Sequence, residues 1–429
     1  MASRQPRVFV HIGAMKTGTT YLQQLMVRNR DSLAEHGLLL PGESWAEQAR
    51  AAHDVLRLRR GRRRRPPSEG MWDRLAGEML AHEGGASVFS VEFLSFAGRP
   101  AVRRLLAGLP GAEVHVVLTV RDAGVVLPGL WQTHASNGGT ASWPAFARGA
   151  RAGAGRGPLA LGLGQGARMF RNGLDVPRFL RVWGSAVPPD RLHVVTVPPP
   201  GSPQPLVWQR FASVLGVDPG AAPLPPRHHN PSLGYASADL LRRVNARLGR
   251  LPRSDYDPTI KLYLARDVLA ARAGEEERPG LDEATAVLAG RWNRRVRDAV
   301  ERSRAPVTGD LADLPGQVRA TGAGPLGLPA TAQSLDAAAV AVQALGELVH
   351  KRSRKLRRRG ADVRVTAEAA AAGSPYRSED GDAPGPAATR ERWLSQADPV
   401  AAAVDDVTAL TRQAMELHRQ LQATRPGGK

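Results

Sequence analysis

The 429-residue chain has no cysteine, only five lysines, few aromatic residues (5%) and no long apolar run. Each shortage excludes something. Without cysteine there is no disulfide, no thiolate metal site and no cysteine nucleophile. No apolar stretch approaches the roughly 18 to 20 residues that span a bilayer. The start, MASRQPRVFVHIG, passes from a short polar lead straight into a β-branched run and a glycine, so no signal peptide is expected and a cytoplasmic protein is the default. The lack of lysine makes the basic excess almost wholly arginine: 54 of 59 basic residues, against 40 acidic ones, for a net charge of +19. Glycine (45) and proline (34) are also heavily used, with alanine, as in a GC-rich genome. Much of the charge is therefore compositional background. It argues weakly for a nucleic-acid partner and more for an anionic ligand.

What is present alternates strands with helices. The run 7–12 (RVFVHI) is too short and too β-branched for a helix and predicts a buried strand. After the loop GAMKTG, Leu22, Leu25, Met26 and Leu33 recur at helical spacing over 19–36, with Gly37 placed to cap the end. Two helices broken at Pro66-Pro67 are expected over 46–80, with the basic run RRGRRRR between them as a solvated loop. Further strands are expected at 87–92 (SVFSVE), 113–120 (EVHVVLTV) and 191–197 (RLHVVTV). This order predicts a mainly parallel sheet covered on both faces, a three-layer α/β/α fold of P-loop-like type. The glycine-rich segment Gly149–Gly166 has no periodicity and reads as an active-site loop or a linker. From about Gly316 the composition shifts to Ala, Gly and Pro, giving a 1–315 domain and a 316–429 tail. The tail carries helical periodicity at 332–359 and 404–421, a basic cluster KRSRKLRRR (351–359), and an expected disordered stretch near Gly373–Pro386. Its helices are candidates for packing on the main domain, pairing two protomers or recruiting a partner.

The loop after the first strand is Gly13-Ala14-Met15-Lys16-Thr17-Gly18-Thr19-Thr20. A strand, a glycine-rich turn and a helix aim unpaired N–H groups and the positive end of the helix dipole at one point, which is an anion site. The nucleotide-triphosphatase pattern GxxxxGK[ST] puts lysine directly after its second glycine, whereas here Thr19 holds that place and Lys16 precedes Gly18 by two.

The segment HIGAMKTGTTYLQ resembles the 5′-phosphosulfate-binding loop of sulfotransferases that use 3′-phosphoadenosine 5′-phosphosulfate (PAPS). A second match is EVHVVLTV followed by Arg121 and Asp122, since in that family a later strand ends in an arginine that holds the donor's 3′-phosphate; Trp131 and Gln132 follow as in many bacterial members. The family's common pattern has a 3′-phosphate serine eight residues later, and this chain has Gly129 there. A serine in that role comes from Ser136 or Ser232, or is absent. LVWQRFASVLGV and RHHNPSLG resemble later landmarks, so the likeness spans about Arg7 to Leu314 and places Arg227, Asn230 and Ser232 in a loop that closes over the nucleotide.

The resemblance implies PAPS as donor, a hydroxyl of a carbohydrate, lipid or secondary metabolite as acceptor, and in-line transfer of the sulfo group. Because charge builds on the departing phosphate, the reaction needs a fixed cation and N–H donors at the bridging oxygen, and a base for the acceptor hydroxyl. Lys16 suits the cation role, with Gly13, Thr17, Gly18, Thr19 and Thr20 forming the cradle. No metal is demanded, unlike phosphoryl transfer. Glu92, after an otherwise apolar strand, is one candidate base; His134 is the other. His228-His229 lack metal-ligand spacing. Trp45, Trp72, Trp183 and Trp208 serve the core or an acceptor pocket. Two other readings stay open: a variant P-loop kinase or triphosphatase with Asp122 as magnesium ligand, and a non-catalytic protein whose arginine clusters at 59–65 and 351–359 bind nucleic acid or an anionic membrane. Both clusters lack the interleaved aromatics of base-stacking surfaces, which ranks the last reading lowest.

Overall fold

The computed structural model describes residues 5–57, 68–156, 164–226, 232–321, 328–361, 363 and 386–424. They fall into two compact units. The first is built from Met1–Leu130, Gly149–His229 and Glu283–Ala320; the second from Trp131–Arg148, Asn230–Asp282 and Thr321–Lys429. These units do not follow the compositional boundary at 315/316, because two internal segments group with the tail.

The first unit holds one six-stranded sheet: β1 (Arg7–His11), β2 (Leu38–Leu39), β3 (Ala86–Ser90), β4 (Glu113–Val120), β5 (Leu192–Thr196) and β6 (Val307–Thr308). The order is β2-β3-β1-β4-β5-β6, and every neighbouring pair is parallel. This is the expected α/β architecture, a parallel sheet between helical layers. On one face Phe9, Val88, Val117 and Val195 pack with Leu22, Leu25 and Met26 of the Thr19–Arg28 helix and with Trp208 and Phe211 of the Leu206–Leu215 helix. Strand alternation turns Val8, Val10, Phe89, Val116 and Leu118 to the other face, where they are equally buried. Each such side chain contributes about 1.5–3 kcal/mol, and burial on both faces explains why the strands read as continuous apolar runs.

The chain leaves β1 for the β2–β3 side and then crosses to β4 on the other side. The order of the strands therefore reverses at β1, and open parallel sheets bind ligands at that crevice, beyond the carboxyl ends of the strands.

Three local expectations change, and the two helices expected over 46–80 are present. The helix expected over 19–36 is two, Thr19–Arg28 and Arg30–Glu35. They break at Asn29, whose Nδ2 donates to the carbonyls of Leu25 (2.8 Å) and Leu224 (2.8 Å) while its Oδ1 accepts from the Leu224 N–H (2.9 Å). Gly37 follows in the left-handed region (φ 78°), as its capping place requires. The 149–156 half of the supposed loop is helical, within Trp143–Arg156, and a second helix runs from Gly164 to Leu174. The glycines are there for packing: a Cβ on Gly153 would lie 2.9 Å from both Cα and Cβ of Ala167, and one on Gly149 would lie 3.3 Å from Gly166 Cα. Around 46–80 the two helices are Trp45–Val55 and Met71–Leu80, and the basic run 59–65 lies outside the described residues. The strand expected to end at Glu92 ends at Ser90, and Glu92 opens the 3₁₀ turn Glu92–Phe96.

The second unit is helical. The tail helices are Thr331–Arg357, Pro386–Leu394 and Pro399–Ala423, one more in number than expected; the first nearly matches its expected span and the last is longer at both ends. Val349 and Leu356 of the first pack on Ala414 and Leu417 of the last. A twelve-residue π-helix, Asp257–Val268, is the unusual element, since such helices mostly occur as single turns. Of the stretch near Gly373–Pro386, expected to be disordered, residues 373–385 lie outside the described residues and Pro386 opens the Pro386–Leu394 helix.

Candidate functional site

Three adjacent strands, β3, β1 and β4, deliver Glu92, the Gly13–Thr20 loop and Arg121 to one edge of the first unit's sheet. The parallel register sets this, pairing His11 with Ser90 on one side and with Val117 on the other.

The loop is held from below. Ala14 N–H donates to the Thr119 carbonyl (3.2 Å) and Met15 N–H to the Gly173 carbonyl (3.2 Å). The next loop bond is Leu22 N–H to the Gly18 carbonyl (3.1 Å). Between them, among the described residues, the N–H groups of Lys16 and Gly18 meet no backbone acceptor, and those of Thr19, Thr20 and Tyr21 begin a helix, where no intrahelical acceptor exists. Lys16 and Gly18 adopt positive φ (63° and 80°), which turns the chain tightly enough to gather these amides. Gly13 is also left-handed (φ 46°), and a Cβ there would run into Thr19 Cγ2.

Beneath the loop runs a buried chain of polar side chains. Ser90 Oγ is hydrogen-bonded to His11 Nδ1 (2.8 Å), and His11 Nε2 to Thr119 Oγ1 (3.3 Å). Thr119 Oγ1 is hydrogen-bonded to Thr17 Oγ1 (2.7 Å), which donates to the Ala14 carbonyl (2.6 Å). Burial pulls the His11 imidazole down from its ordinary 6.5 to about 3, so it is neutral and acts as a strut. The threonine expected to face a ligand, Thr17, points inward instead.

Lys16 lies near enough to Glu92 and Arg121 for both to act on its charge. Burial lowers its pKa first, the Arg121 charge lowers it further, and the Glu92 carboxylate opposes both. Its stem lies along Gly129, where a Cβ would sit 3.4 Å from Lys16 Cγ and Cδ. The residue standing at the family's serine position is thus next to the catalytic candidate. Arg121 Nη1 donates to the Lys16 carbonyl at 3.5 Å, a long contact that ties the guanidinium to the loop. Glu92 Oε2 accepts from Gln23 Nε2 (3.1 Å), which also donates to the Ser90 carbonyl (3.1 Å). Beside Glu92, the Phe93 ring stacks on His53 (5.7 Å) and tilts against Trp45 (6.4 Å) and Phe96 (6.2 Å).

Lys16, Glu92, Arg121 and Gly129 are thus brought together with the loop. Asp122, the magnesium candidate of the kinase reading, is engaged as a cap: its Oδ1 accepts from Gly124 N–H (2.9 Å) and from Asn293 Nδ2 (2.7 Å), at the start of the Ala123–Ser136 helix. His134, Ser136 and Ser232 belong to the second unit. There His134 is buried against the Phe146 ring (5.7 Å) and the Gly139 backbone, the setting of a packed histidine. Ser136 Oγ donates to the Gln132 carbonyl (2.9 Å), and Ser232 is exposed. Arg227 and Asn230 lie outside the described residues. Trp72, Trp183 and Trp208 are buried, and Trp45 is half-buried beside Phe93. Gln23, His11 and Thr119 were not singled out from sequence as site residues. Gln23 carried a usable signal: it is a polar residue one position after Leu22, inside the helix's buried stripe.

Among the described residues, no helix is long and apolar enough to cross a membrane, and no group of three or more His, Asp or Glu could hold a metal ion. No protein-family model matches the chain, and no curated protein or solved structure matches it.

Proposed function

We propose that the chain is a PAPS-dependent sulfotransferase whose acceptor is a hydroxyl group. The chief support is the convergence of Lys16, Glu92 and Arg121 on an amide-lined loop at the point where the strand order reverses, together with the KTGTT sequence of that loop. The loop amides and Lys16 suit the 5′-phosphosulfate, and Arg121 offers a planar fork to a second phosphate. Two cationic points favour a donor with phosphate groups at both the 3′ and the 5′ position of its ribose over a simple monophosphate.

In this reading the acceptor oxygen forms a bond to sulfur as the bond from sulfur to the 5′-phosphate oxygen breaks. Glu92 takes the acceptor's proton. The negative charge left on the phosphate falls on Lys16 and on the N–H groups of Gly18, Thr19 and Thr20. Gln23 fixes the carboxylate from the side, leaving Glu92 Oε1 for the acceptor. The half-buried rings of Phe93 and Phe96 give that acceptor an apolar wall.

Calorimetry with 3′-phosphoadenosine 5′-phosphate tests the donor assignment. Binding without magnesium is expected, weakened about tenfold or more, roughly 1.4 kcal/mol, in Lys16→Ala and in Arg121→Ala. Tight binding of magnesium ATP with no affinity for the bisphosphate would overturn it.

A further inference from the structure

In the second unit, the Thr331–Arg357 helix, the Pro399–Ala423 helix and the π-helix Asp257–Val268 border a cavity of about 430 Å³. Its wall holds four cations, Lys351, Arg352, Lys355 and Arg359, against one carboxylate, Glu347. The two arginines are fixed by the protein. Arg352 is only 9% exposed, and its Nη1 donates to Thr259 Oγ1 (2.9 Å) and the Ala414 carbonyl (2.6 Å). Arg359 Nη1 donates to the Leu421 carbonyl (3.0 Å) and to Thr424 Oγ1 (3.2 Å). All these acceptors are neutral, so neither positive charge is cancelled. Burial draws the Arg352 guanidinium down to about 10, a sign of how poorly the site solvates it.

The two lysines are exposed and one turn apart on one helix face, and among the described residues neither has a hydrogen-bond or ion-pair partner. Like charges four apart on a helix repel by a few tenths of a kcal/mol. The carbonyl end of the helix offsets this for Lys355 in its last turn, but Lys351 lies a turn earlier. Glu347 is turned to Gln343, whose Nε2 donates to its Oε1 (3.4 Å). Unneutralised cations converge here on a concavity that also presents Leu348 and the Tyr263 ring.

We propose that this cavity is a binding site for a small organic polyanion carrying two or more phosphate or sulfate groups on a compact apolar body. The arginines suit fixed, forked contacts to anion oxygens, and the lysines adjust as point charges. Leu348 and Tyr263 meet the apolar part. A nucleic acid fits less well: the cavity offers two rings, Tyr263 and His418, rather than a row of stacking aromatics, and the Tyr263 hydroxyl is already given to the Ala344 carbonyl (2.8 Å).

The chain's five lysines make the test local. The full chain is acetylated with acetic anhydride, with and without sodium pyrophosphate at an ionic strength matched by sodium chloride, and each lysine is quantified by peptide mass spectrometry. Saturable protection of Lys351 and Lys355, about fivefold or more, is expected, with Lys261 unchanged and Lys16 reporting separately on the loop. Arg359→Gln should raise the pyrophosphate concentration needed, whereas Arg354→Gln, exposed in the last turn of the Thr331–Arg357 helix but outside the cavity wall, should not. Absent protection, or equal protection of Lys261, would overturn the proposal. So would equal weakening by both variants, or protection by duplex DNA or phosphatidylserine vesicles but not by pyrophosphate.

Discussion

His11 shows how a single residue couples the sheet to the loop. It is fully buried (0% exposed) at the carboxyl end of β1, between hydroxyls from β3 and β4. An unfolded histidine takes up a proton below about pH 6.5, whereas the folded one does so only near 3. Between those values the unfolded chain binds more protons, so stability falls as pH falls, by about 1.4 kcal/mol per pH unit for one such group. His193, lowered by burial and then by its neighbour His115, acts in the same direction. Urea unfolding of wild type and His11→Asn should therefore show a stability gap that narrows by about 2 kcal/mol or more between roughly pH 6.5 and pH 4. A gap independent of pH would mean that His11 is not held neutral. A histidine inside a strand is legible in the sequence as a core or face residue. Its hydroxyl partners are not, because they lie 79 and 108 residues away and meet it only through the register of three strands. Glu92 was recognisable by its charge at the end of an apolar run; Gln23, which orients it, carries only the weaker signal of a polar residue inside a helix's buried stripe.

At the scale of elements, the longer strands were the most readable part, since burial on both faces keeps their runs mainly apolar, with polar positions such as His11, Ser90 and Thr119 too few to break them. The ends of β1, β3, β4 and β5 fall within two residues of the expected ones, while the two-residue strands β2 and β6 were not expected. The 149–156 helix was missed for a related reason: it packs through missing side chains, so its sequence carries glycine where periodicity would show an apolar residue. That gives a substitution of unusual sign. In most helices Gly→Ala stabilises by up to about 1 kcal/mol. Here the new methyl would press on Ala167, which lies in the facing Gly164–Leu174 helix. Gly153→Ala should instead destabilise by about 1–3 kcal/mol, read as a lowered thermal midpoint. A raised midpoint would show that the two helices separate freely. Gly173 on that second helix matters in the same way, because its carbonyl receives the Met15 N–H and its bare Cα leaves room for Leu130 and Met15.

At the scale of the whole molecule, composition marked a change near residue 316, but compactness follows other rules. Segments 131–148 and 230–282 group with the tail: Trp143 Nε1 donates to the Gly280 carbonyl (2.8 Å), joining the two segments, and Tyr263 Oη donates to the Ala344 carbonyl (2.8 Å), joining the second of them to the tail. Such pairings leave no trace in local composition. The net charge of +19 gains detail in the same way. A few cations gather at the loop of the first unit and a few around the cavity of the second, and the proposals made for both concern anions.

The central claim is that Lys16 and Glu92 perform sulfuryl transfer, and turnover tests it most directly. The full chain is incubated with PAPS carrying labelled sulfur and a panel of hydroxylated acceptors, and label is followed into product. The account predicts transfer by the wild type without added metal, reduced about 10²–10³-fold in Lys16→Ala and about 10²–10⁴-fold in Glu92→Gln. No transfer to any acceptor, or transfer undiminished in Lys16→Ala, would contradict it.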